Sequence, residues 1–106
     1  MLPEITVTDL KNKFDNGEDI QLIDVREPIE FEICHLPATL IPLGDIPKKV
    51  ELIAKDKPVI IICHHGFRSA QAIQYLTQRF GFNNLLNLKG GIHAWALQID
   101  PAMPTY

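Results

Sequence analysis

One cysteine of this 106-residue chain heads a run of residues that suits thiol chemistry. Cys63 follows the apolar segment 58–62 and begins a polar loop, CHHGFR, that ends where a helix is predicted to start. A helix N-terminus and nearby cations stabilise a thiolate, which is the nucleophilic form of cysteine. Backbone amides of a loop wound over the sulfur add to this effect. The loop therefore predicts a reactive cysteine.

The residue types that follow Cys63 each fit one task in such a loop. Arg68 carries a permanent positive charge, and His64 and His65 can donate hydrogen bonds or hold a proton. Gly66 permits the left-handed or tight backbone that a cradle around sulfur demands. With Cys63 as nucleophile, the predicted substrate-binding residues are His64, His65, Gly66, Phe67, Arg68 and Ser69.

A buried structural cysteine is the alternative interpretation of Cys63, because cysteine often behaves as a small core hydrophobe. A core position does not call for two histidines, a glycine and an arginine within the next five residues. A loop of that polarity is expected to lie in solvent. The functional interpretation is therefore favoured.

Phosphatase chemistry is a second alternative, since a cysteine, a short loop and an arginine at a helix start also describe the phosphate cradle of cysteine-dependent phosphatases. Those enzymes need five residues between the cysteine and the arginine to encircle a phosphate. Cys63 and Arg68 enclose four residues. The tighter loop is better matched to a single extra sulfur atom.

Zinc binding is a third alternative, because Cys34, Cys63, His64 and His65 are all residue types that bind zinc. Adjacent histidines do not easily converge on one ion, and the sequence has no Cys-x2-Cys or His-x3-His spacing. We therefore expect neither a metal nor a cofactor.

Composition places the chain among soluble globular proteins, with 46% apolar and 22% charged residues. We expect a single domain over residues 1–106. The net charge of −3 and the scattered basic residues argue against nucleic acid as a partner. The longest apolar run, residues 59–63, is far below the roughly 20 residues of a membrane helix. Residues 1–4 lack a secretory pattern, which predicts a cytoplasmic location.

Short apolar segments alternate between the two periodicities along the chain. Strands are predicted at residues 20–25, 40–41, 58–62 and 85–88, and helices from Thr6 or Thr8 to Gly17 and at residues 28–31, 69–80 and 92–99. A further helix is predicted to be capped by Asp45, with Ile46, Val50 and Ile53 on its apolar face. The alternation predicts an α/β fold with a central parallel sheet and helices on both faces. Cys63 then lies at the carboxyl end of a strand, where such sheets bind ligands.

Four stretches of the sequence together resemble the rhodanese family, over nearly the whole chain. They are LIDVRE at 22–27 with Glu30 and Phe31; CHLPA at 34–38 with IPL at 41–43; CHHGFRS at 63–69; and Gly81-Phe82 with LKGGIHAW at 88–95. The resemblance implies a five-stranded parallel sheet. It also implies that Cys63 takes sulfane sulfur from thiosulfate or another donor and passes it to cyanide, a thiol or a protein.

The resemblance further implies roles within the loop. Backbone amides of residues 64–69 would stabilise the thiolate and the persulfide, and Arg68 would attract anionic thiosulfate. His64, His65 and Phe67 would shape substrate choice at the rim. Because the chain is small, a second hypothesis stays open: a persulfide carrier or docking module that serves a sulfur-relay or cofactor-assembly partner and turns over small donors poorly.

Other residues are assigned structural roles. Cys34 replaces the first glycine of a Gly-His-Ile-Pro-Gly-Ala pattern of the family, so it is either a packing residue or a second, resolving thiol, and it is left out of the catalytic set. Asp24 and Arg26 are expected to pair beneath the loop. His35 is expected to bond within its loop, Trp95 to lie in the core and His93 to be solvated.

Overall fold

A computed structural model of the chain describes residues 2–106. Its sheet has five strands: β1 Glu4–Ile5, β2 Gln21–Asp24, β3 Thr39–Leu40, β4 Val59–Ile62 and β5 Leu85–Leu88. Its α-helices are α1 Val7–Asp15, α2 Pro28–Ile33, α3 Phe67–Phe80 and α4 Gly91–Gln98, and two 3₁₀ helices span Leu43–Lys48 and Val50–Leu52. All strand pairs are parallel, in the order β1-β5-β4-β2-β3. The predicted five-stranded parallel α/β fold is confirmed.

β4 lies at the centre of the sheet, because its side chains are apolar on both faces. Val59 and Ile61 point into a core cluster that includes residues of α3. Ile60 and Ile62 point to the opposite face, into a second core cluster that includes residues of α1 and α4. All four β4 residues are fully buried. Helices therefore cover both faces of the sheet, as predicted.

The register of the sheet brings several chain segments to the loop. Asp24 at the end of β2 pairs with Ile62 at the end of β4, and β5 lies on the other side of β4. The segments that leave these strands therefore meet around Cys63. Within residues 2–106, no helix is long and apolar enough to cross a membrane.

The structure corrects the helix predicted after Asp45. Asp45 lies inside the 3₁₀ helix Leu43–Lys48, where its side chain makes no capping bond to any described residue, and Pro47 lies within the same helix. A proline disfavours the α conformation of the residue before it and lacks a donor for an α-helical bond. The segment therefore winds as short 3₁₀ turns instead.

Some element boundaries also differ from the predicted ones. β1 was not predicted, since two residues carry no periodicity. α1 is capped by Thr6, whose hydroxyl accepts a bond from the Asp9 amide at 3.1 Å, whereas Thr8 lies inside the helix. α3 begins at Phe67, two residues before the predicted Ser69, so Arg68 belongs to its first turn.

Candidate active site

Cys63 lies at the floor of the loop, directly after β4, and is 1% exposed. The first turn of α4 holds the loop from one side. The Ile92 amide donates to the Cys63 carbonyl at 2.9 Å, and the His93 amide donates to the His64 carbonyl at 3.1 Å. Gly91, at φ +63°, allows this approach, because a Cβ there would overlap both carbonyl groups.

The Cys63 sulfur is bonded from the loop itself. The Gly66 amide donates to Cys63 Sγ at 3.0 Å, and Ser69 Oγ lies 3.3 Å from the same sulfur. Gly66 is the N-cap of α3 and has φ +109°, so the left-handed backbone predicted for it is confirmed. Of the loop amides in the described part of the chain, only that of Gly66 is bonded to the sulfur. The structure therefore presents one amide, one hydroxyl and a helix N-terminus to Cys63.

Asn87 of β5 supports this arrangement from below and was not predicted as a site residue. Its Oδ1 accepts a bond from Ser69 Oγ at 2.5 Å, and its Nδ2 donates to the Gly66 carbonyl at 3.0 Å. Asn87 is 4% exposed and is a polar residue in an otherwise apolar strand. That exception to the apolar pattern is the sequence signal that could have identified it.

Arg68 forms a two-pronged ion pair with Glu30 of α2, which is a second residue missing from the predicted site. The distances from its two terminal nitrogens to the Glu30 oxygens are 2.6 and 2.8 Å. The hydrogen bond from Arg68 lowers the pKa of Glu30 from 4.5 to about 2, and the same bond raises the pKa of Arg68. The positive charge expected to attract an anion is therefore already paired.

Glu30 is held in place by the start of α2. Pro28 occupies the first turn, as predicted, and Glu30 accepts a bond from the Glu27 amide at 3.0 Å in a capping box. The Tyr106 hydroxyl donates to the second Glu30 oxygen at 3.0 Å. Its carboxylate therefore connects α2, α3 and the residues after α4.

Asp24 and Arg26 form the predicted pair beneath the loop. Both side chains are 0% exposed, and Arg26 Nη2 lies 2.7 Å from Asp24 Oδ2. Arg26 also donates to the Cys34 carbonyl at 2.7 Å and to the Tyr106 hydroxyl at 2.9 Å. These bonds satisfy a charge that burial alone would penalise. The pair joins the end of β2 to the segments around the site.

Three histidines cluster at the rim. His64 stacks on His65 with ring centroids 4.1 Å apart and on Tyr106 at 4.0 Å, and His93 packs against both histidines. Burial, followed by the charges of His65 and His93, lowers the pKa of His64. The prediction that His93 is solvated is wrong, because the residue is half-buried and its Nδ1 is buried with no hydrogen-bond partner among residues 2–106.

The histidine cluster also bears on the zinc alternative. One nitrogen of each of the three rings lies within 4.8 Å of the others, closer than the sequence spacing suggested. The His64 and His65 rings are inclined by only 29°, so the two planes that contain their lone pairs are close to parallel. Two stacked rings do not aim at one ion without rotating. The expectation of no metal stays a prediction.

The other residues that were given roles from the sequence are either exposed at the rim of the site or packed within the fold. Phe67 is 78% exposed and His65 is exposed, both at the rim. Cys34 is buried in the core cluster of α1 and α4, which fits a packing role. His35 Nδ1 bonds the Phe31 carbonyl at 2.8 Å, and Trp95 is buried, as predicted.

A surface pocket of about 650 Å³ lies elsewhere, between α3 and the segment before β5. Its lining includes Ile73, Thr77 and Phe82 and contains no titratable side chain. Among the residues that the structure describes, this lining therefore supplies no thiol, carboxylate, imidazole or amine for catalysis. The Cys63 loop is therefore the better candidate for chemistry.

Known proteins are similar to this chain in sequence and in fold. The model of the rhodanese-like domain matches residues 6–98. A sulfurtransferase of Allochromatium vinosum is 41% identical over 91% of this chain and 90% of its own length. The adenylyltransferase and sulfurtransferase MOCS3 of Drosophila ananassae is 36% identical over 96% of this chain, which spans only 24% of that protein. The crystal structure of a rhodanese-like domain protein from Staphylococcus aureus matches with a TM-score of 0.82 and 36% identity, over 89% of this chain and 91% of that one. The chain belongs to the rhodanese-like domain family.

Proposed function

We propose that this chain is a sulfurtransferase in which Cys63 carries sulfane sulfur as a persulfide. The observation that carries the proposal is the bond from the Gly66 amide to Cys63 Sγ, at 3.0 Å, at the head of a loop that opens into α3. An amide aimed at sulfur and a helix N-terminus both favour negative charge on that atom. The names of the related sulfurtransferases agree with this chemistry.

The proposed reaction has two balanced steps. The Cys63 thiolate attacks the outer sulfur of thiosulfate, a sulfur–sulfur bond forms, and the bond to the sulfonate breaks so that sulfite leaves with the electron pair. Cyanide, a thiol or a protein thiolate then attacks the outer sulfur of the persulfide, and Cys63 leaves as thiolate. No metal or cofactor takes part in either step.

The side chains around Cys63 receive matching roles. The Gly66 amide stabilises the sulfur anions, and Ser69 contacts the same sulfur. His64, His65 and Phe67 line the approach to Cys63, a residue that is 1% exposed. Since Arg68 is paired with Glu30, an anionic donor meets a neutralised pair rather than a free cation. Thiosulfate binding therefore has to loosen that pair or rely on the loop amides.

The cytoplasmic location stays a prediction.

A carrier that serves a protein acceptor is the second candidate function. The observation that favours it is a pair of exposed apolar side chains on segments that contribute to the site: Phe67 is 78% exposed, and Ile29, next to Glu30 on α2, is 70% exposed. Exposed apolar side chains of this kind suit contact with another protein. The sulfurtransferase MOCS3, whose name also includes an adenylyltransferase, contains a similar segment within a much longer chain.

Sulfur loading of Cys63 tests the proposal directly. Incubation with thiosulfate should add about 32 Da to the intact protein, the mass of one sulfur on a reactive thiol. The addition should vanish in Cys63→Ala and persist in the matched variant Cys34→Ala. Subsequent cyanide should remove the added mass and yield thiocyanate. A chain that gains no sulfur from thiosulfate or any other sulfane donor contradicts the proposal.

Turnover separates the two candidate functions. A small-molecule enzyme should cycle many times with thiosulfate and cyanide, whereas a carrier should load once and turn over slowly. Replacing Ile29 with Ser should impair transfer to a protein acceptor and leave sulfur loading from thiosulfate unchanged, because Ile29 has no role in the donor step. If loading falls in parallel with transfer, Ile29 is not specific to a protein acceptor.

A further inference from the structure

Four hydrogen bonds around Cys63 form a closed ring. The ring runs from Cys63 Sγ to Ser69 Oγ at 3.3 Å, from Ser69 Oγ to Asn87 Oδ1 at 2.5 Å, from Asn87 Nδ2 to the Gly66 carbonyl at 3.0 Å, and from the Gly66 amide back to Sγ at 3.0 Å. Cys63, Ser69 and Asn87 are 1%, 0% and 4% exposed, so solvent does not substitute for these partners. Each donor and acceptor in the ring therefore depends on its neighbour.

The directions of the bonds made by Asn87 and Ser69 follow from one atom that cannot donate. The Gly66 carbonyl can only accept, so the amide nitrogen of Asn87 must face it. The opposite end of the Asn87 amide, Oδ1, then faces Ser69 and can also only accept. The single hydroxyl proton of Ser69 is therefore committed to Asn87. What Ser69 offers to Cys63 is a lone pair.

We propose that Asn87 is a positioning residue that sets the Ser69 hydroxyl as an acceptor and so opposes loss of the Cys63 proton, whereas the Gly66 amide and the helix N-terminus favour that loss. This inference rests on the proposed role of Cys63 and adds a residue to its machinery. In the thiol state every bond is made, with S–H donating to Ser69. When the proton leaves, the sulfur anion faces a lone pair unless Ser69 turns its hydroxyl toward it.

Turning the hydroxyl has a cost that Asn87 determines. A Ser69 proton aimed at sulfur leaves Asn87 Oδ1 buried without a donor, and an unpaired buried acceptor is unfavourable. Removing the Asn87 amide removes that cost, so the Ser69 hydroxyl becomes free to donate to the thiolate. The loss of Asn87 should therefore ease deprotonation of Cys63, but only while Ser69 is present.

The test follows the deprotonation of Cys63 by NMR of isotope-labelled cysteine, with the Cβ signal of Cys34 as an internal control. In Asn87→Ala the midpoint of the Cys63 titration should move down by about one pH unit, as expected for a thiolate that gains a hydroxyl donor. In a Ser69→Ala background the same substitution should leave the midpoint unchanged. Asn87→Leu, which fills more of the vacated volume, should repeat both results if Asn87→Ala folds poorly.

The outcomes distinguish this inference from the proposed function. An equal shift in both backgrounds, no shift, or a shift to higher pH overturns the role of Asn87. The titration needs no sulfur donor, so it reports on Asn87 even if thiosulfate never loads Cys63. Conversely, if Cys63 accepts sulfur but Asn87→Ala does not move its titration midpoint, the proposed function stands and this inference is overturned.

Discussion

Among the residues of the site, Glu30 joins several segments through its carboxylate. It accepts two bonds from Arg68 and one from Tyr106, and its side chain is only 17% exposed. Charge-assisted, two-pronged bonds of this kind are stronger than single ones. The ion pair fixes Arg68 in the first turn of α3, beside the loop that holds Cys63. Glu30 therefore determines how much of the Arg68 charge an incoming anion meets.

The stability of the protein should depend on Glu30 at acid pH. Because the pKa of Glu30 falls from 4.5 to about 2 on folding, its contribution is fully present above about pH 4.5 and is lost as the pH falls toward 2. The shift corresponds to about 3 kcal/mol, which solvent screening reduces to about 1–2 kcal/mol. Urea unfolding of Glu30→Gln should lack this acid-dependent loss.

Glu32→Gln provides the matched control, since Glu32 lies on the same helix and is exposed. Its unfolding free energy should follow that of the unmodified chain throughout the acid range. If the unfolding free energy of Glu30→Gln falls with acid as steeply as that of the unmodified chain, Glu30 is not the source of the acid-dependent loss.

The contact between α4 and the loop links the elements to the chemistry. The first amides of α4 hold the carbonyls of Cys63 and His64, and Gly91 lies directly against those carbonyls. A helix N-terminus that binds backbone carbonyls through its free amides fixes the loop at its base. α4 thus sets the position of Cys63 without contributing a side chain to the sulfur.

Gly91→Ala should be far more harmful than Gly81→Ala, although both glycines have positive φ, +63° and +72°. Gly81 has open space around a new Cβ, so its substitution should cost only the left-handed backbone, about 1 kcal/mol. Gly91→Ala adds an overlap with two carbonyl groups and should cost about 3 kcal/mol or more. Urea unfolding measures both. Sulfur loading should slow in Gly91→Ala and stay normal in Gly81→Ala, and equal effects would remove this role of α4.

At the scale of the whole molecule, the sequence predicts those features of the fold and the site that depend on residues adjacent in the chain. The apolar run of β4 predicted a central strand because all its side chains are buried, and the loop motif was visible as one continuous segment. The residues that bond to that loop from other segments are harder to identify from the local sequence. Glu30 lies 38 residues before Arg68, and Asn87 lies 18 residues after Ser69. Only the folded sheet brings these residues together.

The residues after α4 show the same limit. Residues 100–106 carry no periodicity, yet Tyr106 reaches Arg26, Glu30 and His64 across the fold. Its ring covers His64, and its hydroxyl accepts from Arg26 and donates to Glu30. No local rule predicts such contacts, because they depend on where three distant segments meet. This segment closes one side of the site.

Removal of the Tyr106 ring should change the ionisation of His64. Burial is the main reason that the pKa of His64 is lowered, and Tyr106 stacks on that ring at 4.0 Å. Tyr106→Ala should therefore raise the pKa of His64 toward the usual 6.5 by exposing the imidazole to water. Tyr106→Phe keeps the stacked ring, so it should leave that pKa nearly unchanged while losing about 1 kcal/mol with the hydroxyl bonds. NMR titration of the His64 ring proton measures the change in pKa, and urea unfolding measures the change in stability. An unchanged His64 midpoint in Tyr106→Ala would show that residues 100–106 do not shield the site.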